Sequence, residues 1–517
     1  MPLRNPDQPL LENITISSAG VEKLLRKLDP RKASGPDQIS PRVLREVAVE
    51  IAPLLAFLYQ ASLDNGVVPN EWKCAHVCPV FKKGERYKPE NYRPISLTSI
   101  PCKLLEHIIV SEVMAYCEQH QILCPQQHGF RKGRSCETQL LGLVDEVSTT
   151  LENGHQEDLL VLDFSKAFDK VSHSLLVHKL RSYGIDGKVN VWVQEFLSNR
   201  KQAVIVNGAR SEYVPVESGV PQGSVLGPSL FLLFINDLPS GLSSSTRMFA
   251  DDTACHKVIK VERDQVHLQE DLDKLADWEQ RWKMSFHPQK CLTVHITRGR
   301  RKREWDYQLH GHKLQKEPQV KYLGVTLTKD LKWGPHIENI SNRANRSLGF
   351  IRRNIRINSK AIKEAAYNAL VRSTLEYAST VWDPYTAKDI HAVEKVQRRA
   401  ARWVCCRYRQ SSSVGDMLQD LQWESLQTRR KRARLATFYK VHHGLATVDS
   451  QYLPSVSRPK RQTRRLHPLS YDIPFCRTAY RQFSFFPRTV AEWNSLPSEM
   501  VAAPSLASFR DRVTHLH

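Results

Sequence analysis

The chain has 517 residues, of which 41% are hydrophobic and 25% are charged, a composition that excludes a mostly disordered protein and predicts two or more lobes. Lys and Arg number 75 against 54 Asp and Glu. The resulting net charge of +21 favours a polyanionic partner, most simply nucleic acid.

Membrane and secretory segments are not indicated by the sequence. The most apolar run, Ser229–Leu238, contains Asn236 and Asp237 and is shorter than the roughly 18–20 residues that span a bilayer. Met1–Glu12 has no apolar segment of the signal-peptide type. Without such segments we expect no membrane partner and a nuclear or cytoplasmic protein that is not secreted. The eleven cysteines have no repeating spacing, so we expect them to be reduced thiols.

The first part of the chain mixes helical and strand-like patterns. Residues 1–16 predict a frayed start, and the spacing from Val21 to Leu28 predicts a helix capped by Ser17 or Ser18. A second helix is predicted over about Pro41 to Asp64. From there to about residue 330, short β-like runs alternate with helical ones, which predicts an α+β fold.

Two β-like stretches carry acidic residues. Leu159–Leu162 predicts a buried strand that ends at Asp163, and Arg247–His256 predicts a hairpin with Asp251 and Asp252 at its turn. Two-metal nucleotidyl transfer needs carboxylates on rigid neighbouring elements, because Mg²⁺ prefers hard oxygen ligands. These three acids meet that need, although Asp at a strand end or turn also caps nearby N–H groups without any catalytic role.

Later elements are a predicted amphipathic helix around Leu268–Trp282 and a strand over Lys321–Leu327 with a glycine inside it. A composition shift near residues 330–340 predicts a domain boundary, after which the chain is mostly helical. In the predicted helix 386–404, Lys395, Arg398 and Arg402 share one basic face.

Basic clusters recur further on, at Arg429–Arg434 and Arg458–Pro468. Such stripes are often solvated faces, but their recurrence favours binding of a nucleic-acid backbone, and Arg429–Arg434 also matches a nuclear-import-like pattern. Cys74-Ala-His-Val-Cys78 does not predict zinc, because it lacks a second Cys/His pair.

Six motifs in order resemble the reverse transcriptases of non-LTR retrotransposons, of the LINE or jockey type. They are Asn91-Tyr-Arg-Pro-Ile-Ser-Leu97, Gly129-Phe-Arg-Lys-Gly-Arg-Ser135, Asp163-Phe-Ser-Lys-Ala-Phe-Asp169, Gly219-Val-Pro-Gln-Gly-Ser-Val-Leu-Gly-Pro228, Phe249-Ala-Asp-Asp252 and Tyr322-Leu-Gly324. The resemblance covers residues 20–330 most strongly and the remainder more loosely.

The resemblance implies a right-hand polymerase with fingers and palm, an antiparallel palm sheet and a helical thumb. The corresponding segments are a frayed N-terminus at 1–16, fingers and palm at 17–335, a basic thumb-like region at 336–450 and a C-terminal extension at 451–517. Asp163, Asp251 and Asp252 would bind two Mg²⁺ or Mn²⁺ ions.

The resemblance also implies roles for residues of the nucleotide pocket. Phe168 would be the steric gate that favours dNTPs over rNTPs, or else an ordinary core aromatic. Gln222 and Gly223 would contact the incoming nucleotide and the template backbone.

Cations and the primer site complete the implied set. Arg93 and Lys82 would neutralise the triphosphate, and Lys290 would protonate the leaving pyrophosphate. Arg131 would follow template phosphates. Tyr322 and Gly324 would form the primer grip, or alternatively a plain β-bulge. The alternative for these lysines and arginines is an ordinary solvated surface charge.

The predicted function is that of an RNA-directed DNA polymerase whose partners are an RNA template, a DNA primer and dNTPs. No endonuclease, zinc knuckle or RNase H pattern is visible, which predicts a polymerase core with any endonuclease supplied by another chain. The alternatives are a catalytically inactive, retroelement-derived nucleic-acid-binding protein, and a maturase-like or RNA-synthesising polymerase, against which Phe168 argues.

Overall fold

The computed structural model describes residues 8–409, 411–449 and 467–514. The chain forms two compact units. The first comprises the residues up to Phe130 with Asp163–Leu242 and Leu272–His287, and the second comprises Arg131–Leu162, Ser243–Asp271 and the chain from Pro288 onward. This division crosses the predicted boundary near residue 335, since strands before it and helices after it belong to the same unit.

The helices account for most of the ordered secondary structure. In chain order they are α1 (Ser18–Arg26), α2 (Pro41–Glu46), α3 (Ala48–Asn65), α4 (Ile100–Gln119), α5 (Cys136–Glu152), α6 (His173–Ser182), α7 (Gly187–Leu197), α8 (Leu226–Ile235), α9 (Glu262–Trp282), α10 (Gly334–Asn354), α11 (Lys360–Tyr367), α12 (Ser373–Glu376), α13 (Ser379–Trp382), α14 (Ala387–Val404), α15 (Val414–Asp420), α16 (Leu426–His442), α17 (Ala479–Gln482), α18 (Phe485–Asn494), α19 (Ser498–Val501) and α20 (Leu506–Thr514).

The strands all lie before residue 329 in the described part of the chain. They are β1 (Cys74–Phe81), β2 (Tyr92–Leu97), β3 (Gln156–Leu162), β4 (Arg200–Val206), β5 (Ala209–Arg210), β6 (Val214–Val216), β7 (Ser245–Phe249), β8 (Asp252–Ile259), β9 (Leu292–Ile296), β10 (Gln308–Leu309), β11 (His312–Lys313), β12 (Gln315–Lys316), β13 (Gln319–Tyr322) and β14 (Val325–Thr328). The predicted α+β class and the helical C-terminal region are therefore confirmed.

Each unit contains its own sheet. In the first unit the order is β2-β1-β4-β5, with β6 also paired to β4, and β1 runs antiparallel to β2 but parallel to β4. In the second unit the order is β12-β9-β3-β8-β7, with β3 antiparallel to both β8 and β9. Strand β3 is central and almost wholly buried, as expected for the apolar run Leu159–Leu162.

The start of the chain is more ordered than predicted. Leu11 exchanges backbone hydrogen bonds with Gly184 and Asp186 at 2.8 and 3.1 Å, and Ile14 is buried. The prediction of a frayed segment is therefore wrong for these residues, because their apolar side chains find a surface to cover. Residues 1–7 lie outside the described part of the chain.

Two predicted elements are divided in the structure. The helix expected over 41–64 is two helices, because Val47 has φ −100° and ψ 30° and so leaves the helical conformation between α2 and α3. The strand expected over Lys321–Leu327 is the two-stranded hairpin β13–β14, in which Tyr322 pairs with Val325. The predicted Ser17 cap of α1 is confirmed, since its side chain accepts a hydrogen bond from the Gly20 N–H.

The second unit has one large hydrophobic core. It combines α5 and the sheet with the helices from α10 to α20, and includes Trp382, Trp403 and Trp493. No helix in the described ranges has the length and apolar character that crossing a membrane requires. None of the eleven cysteines forms a disulfide.

Candidate active site

The turn between β7 and β8 carries two of the predicted acids. Phe249 pairs with Asp252, so Ala250 and Asp251 form a two-residue turn. Ala250 has φ +54°, a left-handed conformation that costs about 1–3 kcal/mol in a non-glycine residue and is concentrated at functional sites. Asp251 is half-buried and Asp252 is exposed, and the predicted hairpin is confirmed.

Strand β3 leads into the third acid. Leu162 is its last residue and pairs with Thr253, which directly follows Asp252. The end of β3 and the tip of the β7–β8 hairpin therefore lie side by side in one sheet. Asp163, the next residue after Leu162, is half-buried.

A buried histidine stabilises the pairing of the same two strands. His256 on β8 contacts a carboxylate through each ring nitrogen, with Nδ1 2.8 Å from Glu157 Oε1 and Nε2 3.1 Å from Glu146 Oε2. Burial lowers the pKa of His256, but the two carboxylates raise it by more, so the net shift is upward.

From Asp163 onward the chain belongs to the first unit, where residues 163–165 contact residues 285–287. The Asp163 carbonyl accepts a hydrogen bond from the His287 N–H at 2.8 Å. The Phe164 ring stacks on Phe286 with centroids 4.1 Å apart. These contacts hold the start of the 163–169 motif on the end of α9 and the loop that follows it.

Phe168 joins two of the predicted motifs. Its carbonyl accepts a hydrogen bond from the Val220 N–H at 2.8 Å, and its ring stacks on Phe231 of α8 with centroids 4.4 Å apart. The ring is only half-buried, so part of its surface stays accessible. The contact with Phe231 orients one face of the ring toward α8.

Gly223 lies against strand β2 at a position that only glycine fits. Its φ is +131°, and a Cβ there would come within 2.3 Å of the Ser96 carbonyl oxygen. The Ser96 N–H donates to the Gln222 carbonyl at 2.7 Å, and the Gln222 amide donates to Asp169 Oδ1 at 2.9 Å. Gln222 thus connects the 219–228 motif to both the 91–97 and the 163–169 motifs.

Glu106 positions the same motif and was missed by the sequence reasoning. Its Oε2 accepts hydrogen bonds from the Val225 and Leu226 N–H groups, at 2.7 and 2.9 Å, at the N-terminus of α8. Complete burial raises the pKa of Glu106, against the opposing effect of these two donors. The available signal was that Glu106, one of three acids in α4, falls at helical spacing with the apolar residues Cys102, Ile109 and Val113.

The predicted triphosphate cations lie on the β1–β2 hairpin. Arg93 on β2 pairs with Val80 on β1, and the Lys82 N–H donates to the Asn91 carbonyl at 2.8 Å. Both side chains are exposed. Strand β2 carries Arg93 on the same short segment as Ser96, the residue that contacts Gly223.

Lys290 and Arg131 belong to the second unit. Lys290 is exposed at the end of a short 3₁₀ helix, directly before β9, whereas Arg131 is buried in the loop before α5. The roles implied for both side chains stay predictions.

The hairpin β13–β14 places the two predicted primer-grip residues differently. Gly324 is exposed in the turn with φ +84°, and a Cβ there would lie 2.8 Å from the Tyr377 ring. The Tyr377 hydroxyl donates to the Leu323 carbonyl at 3.0 Å. Tyr322 is 1% exposed, so its ring supports the hairpin from inside and is not available to a primer.

Helices α10 and α14 carry the exposed basic surface. Lys395 and Arg398 are exposed, and the half-buried Arg402 donates to the Arg409 carbonyl at 3.3 Å. Helix α10 was not identified as a basic surface from the sequence. Its residues at helical spacing line an open cavity of about 690 Å³, here called the α10 basic cavity. The lining residues are Asn342, Asn345, Arg346, Gly349 and Arg353.

The Arg429–Arg434 cluster is not a free basic patch, contrary to expectation. Arg430 and Arg434 are each 1% exposed and both form ion pairs with Asp383. Arg429 pairs with Glu376, and Arg432 pairs with Glu424. These arginines hold α16 in the helical core, and residues 458–466 of the other predicted cluster lie outside the described residues.

The acids of the hairpin turn suit a magnesium site by donor chemistry. Their carboxylate oxygens are the ligands that Mg²⁺ prefers, and a substrate-dependent magnesium site needs only one or two protein carboxylates. Within the ranges that the structure describes, no group of three or more His, Cys, Asp or Glu side chains is arranged to hold a metal ion.

Comparison with known proteins gives a consistent result. Residues 80–327 match the family described as "Reverse transcriptase (RNA-dependent DNA polymerase)". Over 491 residues the chain is 28% identical to the probable RNA-directed DNA polymerase from transposon BS of Drosophila melanogaster, covering 89% of this chain and 52% of that protein.

Two further relatives come from the same organism. The RNA-directed DNA polymerase from mobile element jockey is 30% identical, over 65% of this chain and 38% of its own length. The probable RNA-directed DNA polymerase from transposon X-element is 27% identical, over 74% of this chain and 43% of its own length. The chain spans about half the length, or less, of these curated relatives.

Proposed function

This chain carries a reverse transcriptase domain related to those of non-LTR retrotransposons, and on that premise we propose that it is an RNA-directed DNA polymerase. It extends the 3′-hydroxyl of a DNA primer with dNTPs on an RNA template. The observation that carries the proposal is the pairing of Leu162 with Thr253, which sets the strand leading into Asp163 beside the turn that holds Asp251.

Asp163, Asp251 and Asp252 are the residues that would hold two divalent cations, Mg²⁺ or Mn²⁺. Bound there, such ions would activate the primer hydroxyl and neutralise the triphosphate. Asp252 is the more exposed acid of the hairpin and has the peripheral role, because it begins β8 whereas Asp251 lies in the turn, so the two side chains point in different directions.

The other pocket residues bind and orient the nucleotide. Phe168 excludes a ribose 2′-hydroxyl, and its stacking on Phe231 supports this role because a fixed ring discriminates better than a mobile one. Gln222 and Gly223 contact the nucleotide and the template backbone. Arg93 and Lys82 neutralise the triphosphate, and Lys290 donates a proton to the leaving pyrophosphate.

The template and primer bind to basic residues and to the exposed hairpin turn. Lys395, Arg398 and Arg402 contact phosphates, and the α10 basic cavity extends their surface, as supported by the hydrogen bond from Arg399 to Asn345 at 3.1 Å. Gly324 contributes the primer grip, and the loop that carries the buried Arg131 follows the template. Such backbone contacts weaken with rising salt and depend little on sequence.

Primer extension on a poly(rA) template with an oligo(dT) primer tests the proposal. Asp251→Ala should abolish extension but leave template–primer binding within a few-fold of the wild type. Asp472→Ala, an exposed acid far along the chain from the three ligands, is the matched control and should extend normally.

Two outcomes would refute the proposal. Wild-type protein that extends no primer with either Mg²⁺ or Mn²⁺, yet binds the template–primer, would instead be the inactive nucleic-acid-binding protein. Incorporation of rNTPs in preference to dNTPs would identify an RNA-synthesising enzyme.

A further inference from the structure

A second concave surface in the second unit is built from aromatic side chains. It is a groove of about 380 Å³, here called the aromatic groove, between the start of α10, the α13–α14 loop and α17. This volume lies in the range of about 300–1,000 Å³ found for ligand sites. Its rings are those of Trp333, Tyr385, Tyr480 and Phe483.

The rings of the groove are held in defined orientations. Tyr385 and Phe483 stack with centroids 4.8 Å apart and planes 7° from parallel. The Arg298 guanidinium lies 3.9 Å from the centroid of Tyr480, and its Nε donates to the Asp330 carbonyl at 2.8 Å. Phe483 nevertheless remains 38% exposed, so the aromatic surface is not fully covered by the protein itself.

Charge is distributed unevenly around the groove. Arg298, Lys332 and Lys388 line it and are exposed, and Lys332 also forms an ion pair with Asp330 at 2.6 Å, whereas the lining itself contains one acid, Asp389. That acid is occupied at the N-terminus of α14, where its carboxylate accepts a hydrogen bond from the Thr386 hydroxyl at 2.7 Å. The groove therefore offers cations to a ligand that also brings flat apolar groups.

We propose that the aromatic groove is a binding site for single-stranded nucleic acid. Bases stack on or insert beside its rings, and the backbone phosphates contact Arg298, Lys332 and Lys388. Stacking accepts any base, because every base has a π face, and the cations make the binding salt-sensitive. A duplex, whose bases are already stacked on one another, fits this surface less well.

A proline-rich peptide also binds aromatic grooves, but it carries no phosphates to match three cations. The charge of the rim therefore favours the single strand. RNA and DNA share the required chemistry, and the two are separated by experiment.

The test uses the full chain in an Asp251→Ala background, so that binding is measured without catalysis and its outcome is independent of primer extension. The probes are fluorescent oligo(rU) and oligo(dT) of about 12 nucleotides, within the range of single-strand sites, and a duplex of equal length. Binding is followed by anisotropy at about 0.15 M salt. Photo-crosslinking of a bromouridine-substituted oligo(rU), with peptide mapping, locates the contact.

Phe483→Ala should weaken oligonucleotide binding at the mapped site about ten-fold. Phe475→Ala removes a ring that is 87% exposed outside the groove, and should change the affinity less than two-fold. Lys388→Glu leaves the rings intact and should also weaken binding several-fold, which covers the case in which Phe483→Ala fails to fold.

The ratio of oligo(rU) to oligo(dT) affinity identifies the strand that the groove prefers. The proposal is overturned if Phe483→Ala and Lys388→Glu both bind all probes like Phe475→Ala, or if no crosslink maps to the groove. It is equally overturned if Phe483→Ala loses affinity for a decaproline peptide while its affinity for the oligonucleotides is unchanged.

Discussion

Replacing Asp383 should destabilise the second unit more than any surface change. Asp383 is 5% exposed and accepts ion pairs from Arg430 at 2.6 Å, Arg434 at 2.9 Å and Arg488 at 3.1 Å. Arg434 also pairs with Glu492 on α18, so the cluster joins α16 to the C-terminal helices.

The magnitude follows from what would remain after Asp383→Ala. Three guanidinium groups would face one another with only Glu492 between them, and Arg430 already has no partner for Nη1 and Nη2 among the described residues. Removing one member of a buried ion pair costs about 3–5 kcal/mol. Asp383→Asn should cost less, because the amide oxygen still accepts a hydrogen bond.

Urea unfolding followed by tryptophan fluorescence measures this effect, since the buried Trp382 and Trp493 adjoin Asp383 and Glu492 in the sequence. The matched control is Asp420→Ala, which removes an exposed ion pair with Arg407 and should cost about 0–1 kcal/mol. The reasoning is refuted if Asp383→Ala shifts the unfolding midpoint no more than Asp420→Ala does.

Three further predictions concern the pocket and the hairpin. Gly223→Ala should reduce primer extension at least about 100-fold, because the added Cβ would collide with the Ser96 carbonyl oxygen. The control is Gly241→Ala, a position that also has positive φ but has open space around it, and this variant should extend primers normally. Equal activity of the two variants would contradict the prediction. Phe168→Ala should raise rNTP incorporation relative to dNTP in a single-nucleotide assay, and an unchanged ratio would count against the steric gate. Because the pKa of His256 is raised in the folded protein, its charge stabilises the fold fully below about pH 6.5, and the stabilisation is lost as pH rises through the raised value. The loss of stability in His256→Gln, measured by urea unfolding from pH 6 to about pH 9, should therefore shrink with rising pH, and a constant difference would argue against a charged His256.

Local chemistry made part of the candidate site predictable. The apolar run before Asp163 and the short segment around Asp251 specify a strand and a hairpin by their own residue pattern, and the structure has both. The same holds for the helix α14, whose basic face follows from its spacing alone.

Contacts between distant residues were not predictable in this way. The partner of Arg430 lies 47 residues away, and the donors to Glu106 lie more than 100 residues away. A charge looks the same in a sequence whether it ends in solvent or beside a buried acid, so the pattern could not distinguish a structural arginine from one that binds phosphate.

The sequence by itself therefore determined the fold class, the motif order, and the strand and hairpin on which the acids lie, because periodicity and residue chemistry act over a few positions. Tertiary structure alone decided that Tyr322 is internal, that Arg430 and Arg434 are structural, and that an aromatic groove exists. Burial depends on which surfaces meet when the chain folds, and no local stretch of residues contains that information.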